Sequence, residues 1–387
     1  MKYIHRLLEV QLHKAIHSFP ALLLTGARRT GKTTLLRKCF PHAEYYLLED
    51  PDIIGRFRED PRDFIEGIKT PVILDEVQNV PEIINYVRTK IDKHPNKTGQ
   101  WLLTGSQESS LMKGVTESMA GRVAILTLLP MSIEESKRVN IISGGFPEIL
   151  SKPSSSSLWF QSYIQTYLER DVRQISGIRD LSMYRRFLSL IAAKVGTILN
   201  RTDFSASLGV SVPTVSQWLS ILEVTQQILL IPPFYENFGK RLIKSPHLYL
   251  SDTGILCHLL GISNLNELKR SPFAGKIFEN FIVTEIIKKQ INIGKRKELY
   301  YFRDRQGLEV DFIIQLKSRK LLMAEAKFGK TVFTQYGKPL AALSSSIKNY
   351  ETKSFIVYRP DKELEKIETV IKGVKAVTLE TLLKEIV

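Results

Sequence analysis

The chain has 387 residues, 43% of them hydrophobic and 25% charged, and carries a net charge of +15. Its length exceeds one ordinary core and points to two or three domains, while the balance of apolar and charged residues excludes a largely disordered chain. Two cysteines, Cys39 and Cys257, are too few for a thiolate zinc site or a disulfide framework and read as packing residues.

No basic, apolar and small-residue signal segment opens the sequence, and runs such as VAILTLLPM fall far short of a membrane span. The expectation is a soluble, cytoplasmic protein with no membrane partner. Charge is unevenly spread: residues 1–150 hold 20 Lys and Arg against 18 Asp and Glu, and the remainder hold 35 against 22. A basic excess confined to the later part suits an acidic partner such as nucleic acid, DNA foremost. A basic, solvated surface is the plain alternative.

In chain order, residues 21–150 alternate ALLLTG, a helix near 33–40, EYYLLE, PVILDE, a helix in PEIINYVRTKI, WLLTGS and RVAILTLLP. That alternation predicts an α/β domain over 1–150, a mostly parallel sheet with helices on both faces. SKPSSSSL, at 151–158, is a polar interruption near which the first boundary falls. Helices dominate a second domain over 151–235. The third, 236–387, is strand-rich around one long helix near 273–290.

Gly26-Ala27-Arg28-Arg29-Thr30-Gly31-Lys32-Thr33 matches the phosphate-loop pattern G-x-x-x-x-G-K-[ST], follows a strand and opens a helix that continues through Thr34. The glycines let backbone N–H groups wrap the β-phosphate of ATP. Lys32 reaches the β- and γ-oxygens, and Thr33 ligates Mg2+. About 40 residues on, the strand Val72-Ile73-Leu74 ends in Asp75-Glu76. Asp75 is expected to hold Mg2+ through water and Glu76 to polarise the attacking water, which argues for hydrolysis over mere binding. The next strand, Trp101-Leu102-Leu103-Thr104-Gly105-Ser106-Gln107, ends in small polar groups, Thr104 and Ser106 among them, that either sense the γ-phosphate, Ser106 foremost, or cap the following helix.

GARRTGKTTLL, VILDEVQ, LLTGS, AGRVAILTLLPMS and GGFPE occur in the order found in a prokaryotic P-loop ATPase family of the AAA+ type, whose members carry a C-terminal domain of unknown function of the DUF4143 kind. The chain resembles that family over nearly its whole length. Within the wider class of signal-transduction-like ATPases a G-x-P element packs its proline on adenine. The resemblance implies that part for Gly145-Phe146-Pro147, with a plain turn as the alternative. Arg122 is either an arginine finger or a salt-bridge residue.

In the middle, Thr202 or Asp203 is expected to cap one helix, Gly209 to end it, and Ser211 or Pro213 to start the next, along which Val215, Leu219 and Leu222 form an apolar stripe. Helix, glycine turn, helix and strand pair predict a winged helix-turn-helix. In a DNA reader, Thr214, Ser216 and Gln217 would enter the groove, but the helix has no Lys or Arg to grip phosphate, which favours a protein-packing spacer.

Three distal fragments hold acids: FENFIVTEII, GLEVDFII and LLMAEAKF. Glu279 falls on the helix stripe of Ile282, Val283 and Ile286, where a carboxylate needs a metal or a base. Glu309 and Asp311 share one strand face, as do Glu325 and Lys327. A three-residue hairpin loop would put Asp311 on the face of Glu325 and Lys327; a two-residue loop would oppose them. The order Glu, Asp, Glu-x-Lys resembles the restriction-endonuclease-like nucleases. The resemblance implies an α/β nuclease-like fold, with Glu279, Asp311 and Glu325 as ligands of one or two Mg2+ and Lys327 orienting the attacking water.

Two readings follow. The first is an Mg2+-dependent ATPase that moves a winged-helix spacer and a nuclease-like domain over DNA. The second is an ATP-dependent switch or remodeller acting on a protein partner, its distal fold a catalytically inactive platform. A nucleotide kinase is disfavoured by the long basic C-terminal half and the lack of a lid. Ring, dimer and monomer stay open, a homo-oligomer included.

Overall fold

The computed structural model describes residues 3–105, 118–168, 181–234, 245–304, 306–317, 319–360 and 368–386. The first sheet holds β1 (Ala21–Thr25), β2 (Glu44–Leu47), β3 (Val72–Asp75), β4 (Trp101–Thr104) and β5 (Val123–Thr127) in the order β2-β3-β4-β1-β5, parallel throughout. Its inner strands are almost wholly apolar because both faces are covered. Ala21, Leu23, Val72, Leu74 and Leu103 enter the core on one side; Leu22, Leu24, Ile73 and Leu102 enter the core on the other. Each leucine so buried contributes about 1.5–3 kcal/mol.

The middle runs helix Leu181–Ala193, β6 (Thr197–Ile198), helix Arg201–Leu208, helix Val212–Val224, β7 (Ile228–Ile231) and β8 (His247–Leu250), with an antiparallel sheet ordered β6-β8-β7. Gly209, left-handed at φ 69°, ends the first of the paired helices, and Ser211 caps the second through Thr214 N–H. The first helix is capped by Asn200, which accepts from Thr202 and Asp203 N–H, and not by either of those residues. The reason is reach: a cap oxygen lies one residue before the helix and bonds forward into its first turn. Val215, Leu219 and Leu222 are buried as the stripe requires.

After a helix at Thr253–Leu259 and the long helix Ala274–Asn292 comes a six-stranded sheet: β9 (Leu299–Arg303), β10 (Glu309–Lys317), β11 (Lys320–Lys327), β12 (Glu351–Tyr358), β13 (Glu368–Ile371) and β14 (Val374–Val377), ordered β13-β14-β12-β11-β10-β9. β9, β10 and β11 are antiparallel, and β12 joins β11 parallel. One continuous apolar core runs from Leu129 through Trp218 and Ile282 to Ile386. It ties the helical middle and the long helix to one face of this sheet. Among the described residues no helix is long and apolar enough to cross a membrane.

Candidate functional site

β1 ends at Thr25 and the phosphate loop follows at once. Gly26 has φ 145°, and a Cβ there would run into the Leu128 carbonyl, so only glycine lets the loop leave the sheet this way. Gly31, at φ 95°, precedes the helix Lys32–Cys39, which has no acid in its first turn and Arg37 and Lys38 in its last. Its N-terminus is thus free to face an anion while its C-terminus is matched in charge. Lys32 is buried and donates to Gly26 O at 3.1 Å and Ala27 O at 3.2 Å. Burial pulls its pKa down, and the carboxylates of Glu76 and Asp75 act against that.

β4 lies between β1 and β3, so its end meets the acidic pair at the end of β3. Asp75 is buried and accepts from Thr33 Oγ1 at 2.8 Å, from Tyr45 OH at 2.8 Å and from Thr104 Oγ1. Thr104 Oγ1 accepts from Glu76 N–H at 3.2 Å, and Glu76 stands in the left-handed region at φ 59° with Gln78 on its carboxylate. A cavity of about 670 Å3 opens over these groups. Its lining includes Arg28, Arg29, Thr30, Gly31, Lys32, Thr33, Thr34, Asp75, Glu76 and, from the far side, Met131, Pro147 and Glu148. Glu148 pairs with Arg29 at 3.5 Å, and burial raises its pKa. Hydroxyl and carboxylate oxygens converging beside open space are the hard donors that suit Mg2+.

Tyr45 and Arg6 are functional candidates absent from the sequence expectations, and Thr104, expected among the polar groups that sense phosphate or cap a helix, bonds Asp75 and Glu76 N–H. Arg6 is buried, donates to Thr30 O at 3.0 Å and Leu129 O at 2.6 Å, and pairs with Glu135 at 3.0 Å, bracing the phosphate loop from behind. Ser106 lies outside the described residues. Arg122 bonds Asp92 Oδ1 at 2.6 Å, and its carbonyl accepts from Ala21 N–H at the start of β1. That is the opposite end of the sheet from the loop, roughly 16 Å away by strand rise, so Arg122 is a salt-bridge residue with respect to its own pocket.

The distal acids meet through a detail of register. β10 and β11 are joined across Lys317 and Lys320, a two-residue connection, which by itself would set Asp311 and Glu325 on opposite faces. A register shift between Gln315 and Lys317 restores the parity: Phe312 pairs with Ala324, so Asp311 shares the face of Glu325. Asp311 Oδ2 accepts from Ala326 N–H at 2.8 Å. Glu325 takes Lys327 Nζ at 2.8 Å, and Glu279, on the long helix, takes Lys276 Nζ at 2.8 Å and Tyr249 OH at 2.6 Å.

Burial and the Asp311 charge raise the pKa of Glu279 to about 7 and that of Glu325 to about 8. Among the described residues no three His, Cys, Asp or Glu groups are gathered closely enough to hold one metal ion. Glu279, Asp311 and Glu325 therefore stand as repelling carboxylates held by Lys276 and Lys327, and not as the assembled ligand set expected from the sequence. The physical reason is that ammonium groups supply the compensating charge.

A carboxyl whose folded pKa lies above its ordinary 4.5 favours folding below that value and loses the advantage as pH rises through the folded pKa. Glu325→Gln is therefore expected to stabilise the protein at pH 8 by on the order of 2 kcal/mol and to change little at pH 4. Denaturant midpoints at the two pH values check this; equal shifts at both would remove the repulsion from the account.

Residues 18–137 match an AAA domain family, 135–266 a domain of unknown function (DUF8612) and 274–382 a domain of unknown function (DUF4143). The proteins Rv2008c of Mycobacterium tuberculosis and Mb2031c of Mycobacterium bovis are each 30% identical to this chain over 316 residues, 80% of this chain and 70% of theirs. MJ1544 of Methanocaldococcus jannaschii is 22% identical over 353 residues, 80% of this chain and 75% of its own. Of solved structures, the Walker-type ATPase PABY2304 of Pyrococcus abyssi is similar with a TM-score of 0.40 and 17% identity, over 65% of this chain and 94% of that one. The chain thus belongs to the family of Rv2008c and Mb2031c, and it joins an AAA domain of the P-loop ATPase class to a C-terminal DUF4143 domain.

Proposed function

We propose that this protein is an Mg2+-dependent ATPase whose turnover is coupled to a nuclease-like domain acting on DNA. The observation that carries the ATPase half is the single cavity over which Lys32, Thr33, Asp75, Glu76 and Pro147 converge. Lys32 binds the β- and γ-phosphate oxygens, Pro147 packs on adenine, and Glu76 orients the attacking water. Thr33 and Asp75 hold Mg2+, which when bound supplies charge against the phosphates. Glu76→Gln is expected to keep ATP bound while turnover falls at least about a hundredfold. Nucleotide retention and phosphate release measured together check this, and rapid release by the variant would remove Glu76 from its role.

The distal half of the proposal draws support from a helix, three antiparallel strands, a helix and a parallel strand in sequence, with Asp311 and Glu325 on one face. In this reading Glu279 and Glu325 exchange their ammonium partners for Mg2+, Asp311 joins them as a ligand, and Lys327 orients water at a phosphodiester. The helix–glycine turn–helix with its three-stranded sheet acts as a winged-helix spacer; Val212–Val224 carries no Lys or Arg with which to grip DNA.

One observation favours a second reading, a protein-directed switch with an inactive platform: Lys276 and Lys327 already pair with Glu279 and Glu325. ATP turnover with Mg2+, with and without single-stranded, duplex and branched DNA, followed with DNA integrity in the same tubes, decides between them. Stimulation with cutting supports the first. Turnover indifferent to every DNA, with the DNA intact, supports the second.

A further inference from the structure

The nucleotide cavity is lined, beyond the phosphate loop, by Met131 and by Pro147 and Glu148 of the segment 145–148. These two segments are bonded to each other, Met131 N–H to Gly145 O at 2.7 Å, and pack so closely that a Cβ on Gly145 would run into the Met131 carbonyl. Both are held by groups outside the first sheet. Lys288, on the long helix, donates to Met131 O at 3.0 Å, and its partner Glu285, 2.8 Å away, accepts from Ile133 N–H at 2.9 Å. Asp252, buried at the head of the helix Thr253–Leu259, accepts from Gly145 N–H at 2.8 Å, and its charge interacts with that of Lys288. The ion pair itself is closed to water, with side-chain exposures of 3% and 0%.

A buried ion pair is poor value as mere stabilisation, because desolvation of both charges offsets most of their attraction. Here each charge instead places its second bond on the backbone of 131–133, Lys288 on the cavity-lining Met131 and Glu285 on Ile133 beside it. The same helix carries Glu279 nine positions earlier, roughly 14 Å along its axis. We propose that Lys288 is a positioning residue for nucleotide binding: through the Met131 carbonyl it fixes the far wall of the nucleotide cavity, and the long helix ties that wall to Glu279. This rests on the nucleotide reading of the cavity. By linkage, whatever reshapes the wall on binding nucleotide is felt along the helix, and a ligand at Glu279 is felt at the wall.

Lys288→Met alone strands the Glu285 charge, so the test uses Lys288→Met combined with Glu285→Gln, which removes both charges and keeps an acceptor for Ile133 N–H. The control is Gln290→Leu, a buried residue on the same helix whose amide bonds the backbone of Glu298, outside the cavity lining. Affinity for a fluorescent ATP analogue and thermal stability are measured for the full chain in each form. The double variant is expected to bind about tenfold more weakly, and Gln290→Leu as the unsubstituted chain does, at comparable losses of stability. In hydrogen exchange, nucleotide should slow the amides of 279–288 in the unsubstituted chain and not in the double variant. Unchanged affinity in the double variant, or losses that merely follow stability in both, overturns the inference alone. Failure of the unsubstituted chain to bind any nucleotide overturns the reading beneath it, and the inference with it.

Discussion

Lys32→Ala is expected to leave a folded protein that hydrolyses ATP at least about a thousandfold more slowly, a loss of roughly 4 kcal/mol of transition-state stabilisation. The loop has supports for its shape besides this side chain. Gly26 and Gly31 set its backbone, Thr30 Oγ1 closes it on Ala27 O at 2.9 Å, and Arg6 holds Thr30 O from behind. Lys32 instead lies buried with its ammonium on two loop carbonyls, between them and the Asp75–Glu76 pair. That places a desolvated cation where phosphate charge would develop, and such a charge acts far more strongly than it would in water. Phosphate release and a melting curve on the same preparation check the expectation. Turnover retained within tenfold would remove this cavity as the site of hydrolysis.

What the sequence made legible, and what it hid, divides along the range of the interaction. The phosphate loop and Asp75–Glu76 could be read because their chemistry is local: glycines at fixed spacing, a strand before, a helix after. The contacts of Thr104 and Tyr45 with Asp75 could not, because they arise only through the sheet order, which inserts β4 between β1 and β3 and sets β2 beside β3. Arg6 was hidden likewise, its partners Thr30, Leu129 and Glu135 lying 24 to 129 positions away. Arg122 stayed ambiguous until the register of β1 against β5 put it at the far end of the sheet. The distal face was the closest case. Hairpin parity correctly posed the question, and a single-residue register shift reversed the answer that the loop length implied. Tyr249 carried no signal, since it reaches Glu279 only through packing of the long helix on β8, whereas Lys276 stands three positions before Glu279 on the same helix.

The second large effect is expected at Asp311. It is the charge that faces both raised carboxyls, Glu279 and Glu325, and its own oxygen accepts a backbone N–H from Ala326. Asp311→Asn keeps an acceptor for that N–H and removes the shared negative charge. The pKa values of Glu279 and Glu325 should then fall toward the ordinary carboxylate range, held up by burial alone. Stability should rise at pH 8, where the native protein holds repelling carboxylates, and change little near pH 4, where protonation already relieves them. The opposite should hold for Mg2+. In the absence of nucleotide, saturating Mg2+ is expected to stabilise the native chain at pH 8 by about 2–3 kcal/mol and the variant hardly at all. Mg2+-dependent cutting of DNA should drop at least about a thousandfold in the variant while ATP turnover without DNA stays within twofold. These readouts separate the two functional readings. If Mg2+ stabilises neither form at pH 8, the ammonium groups of Lys276 and Lys327 are permanent occupants, and the distal fold is a platform. If Mg2+ stabilises the native chain and Asp311→Asn abolishes that response together with cutting, the carboxylates are a latent metal site from which the lysines are displaced.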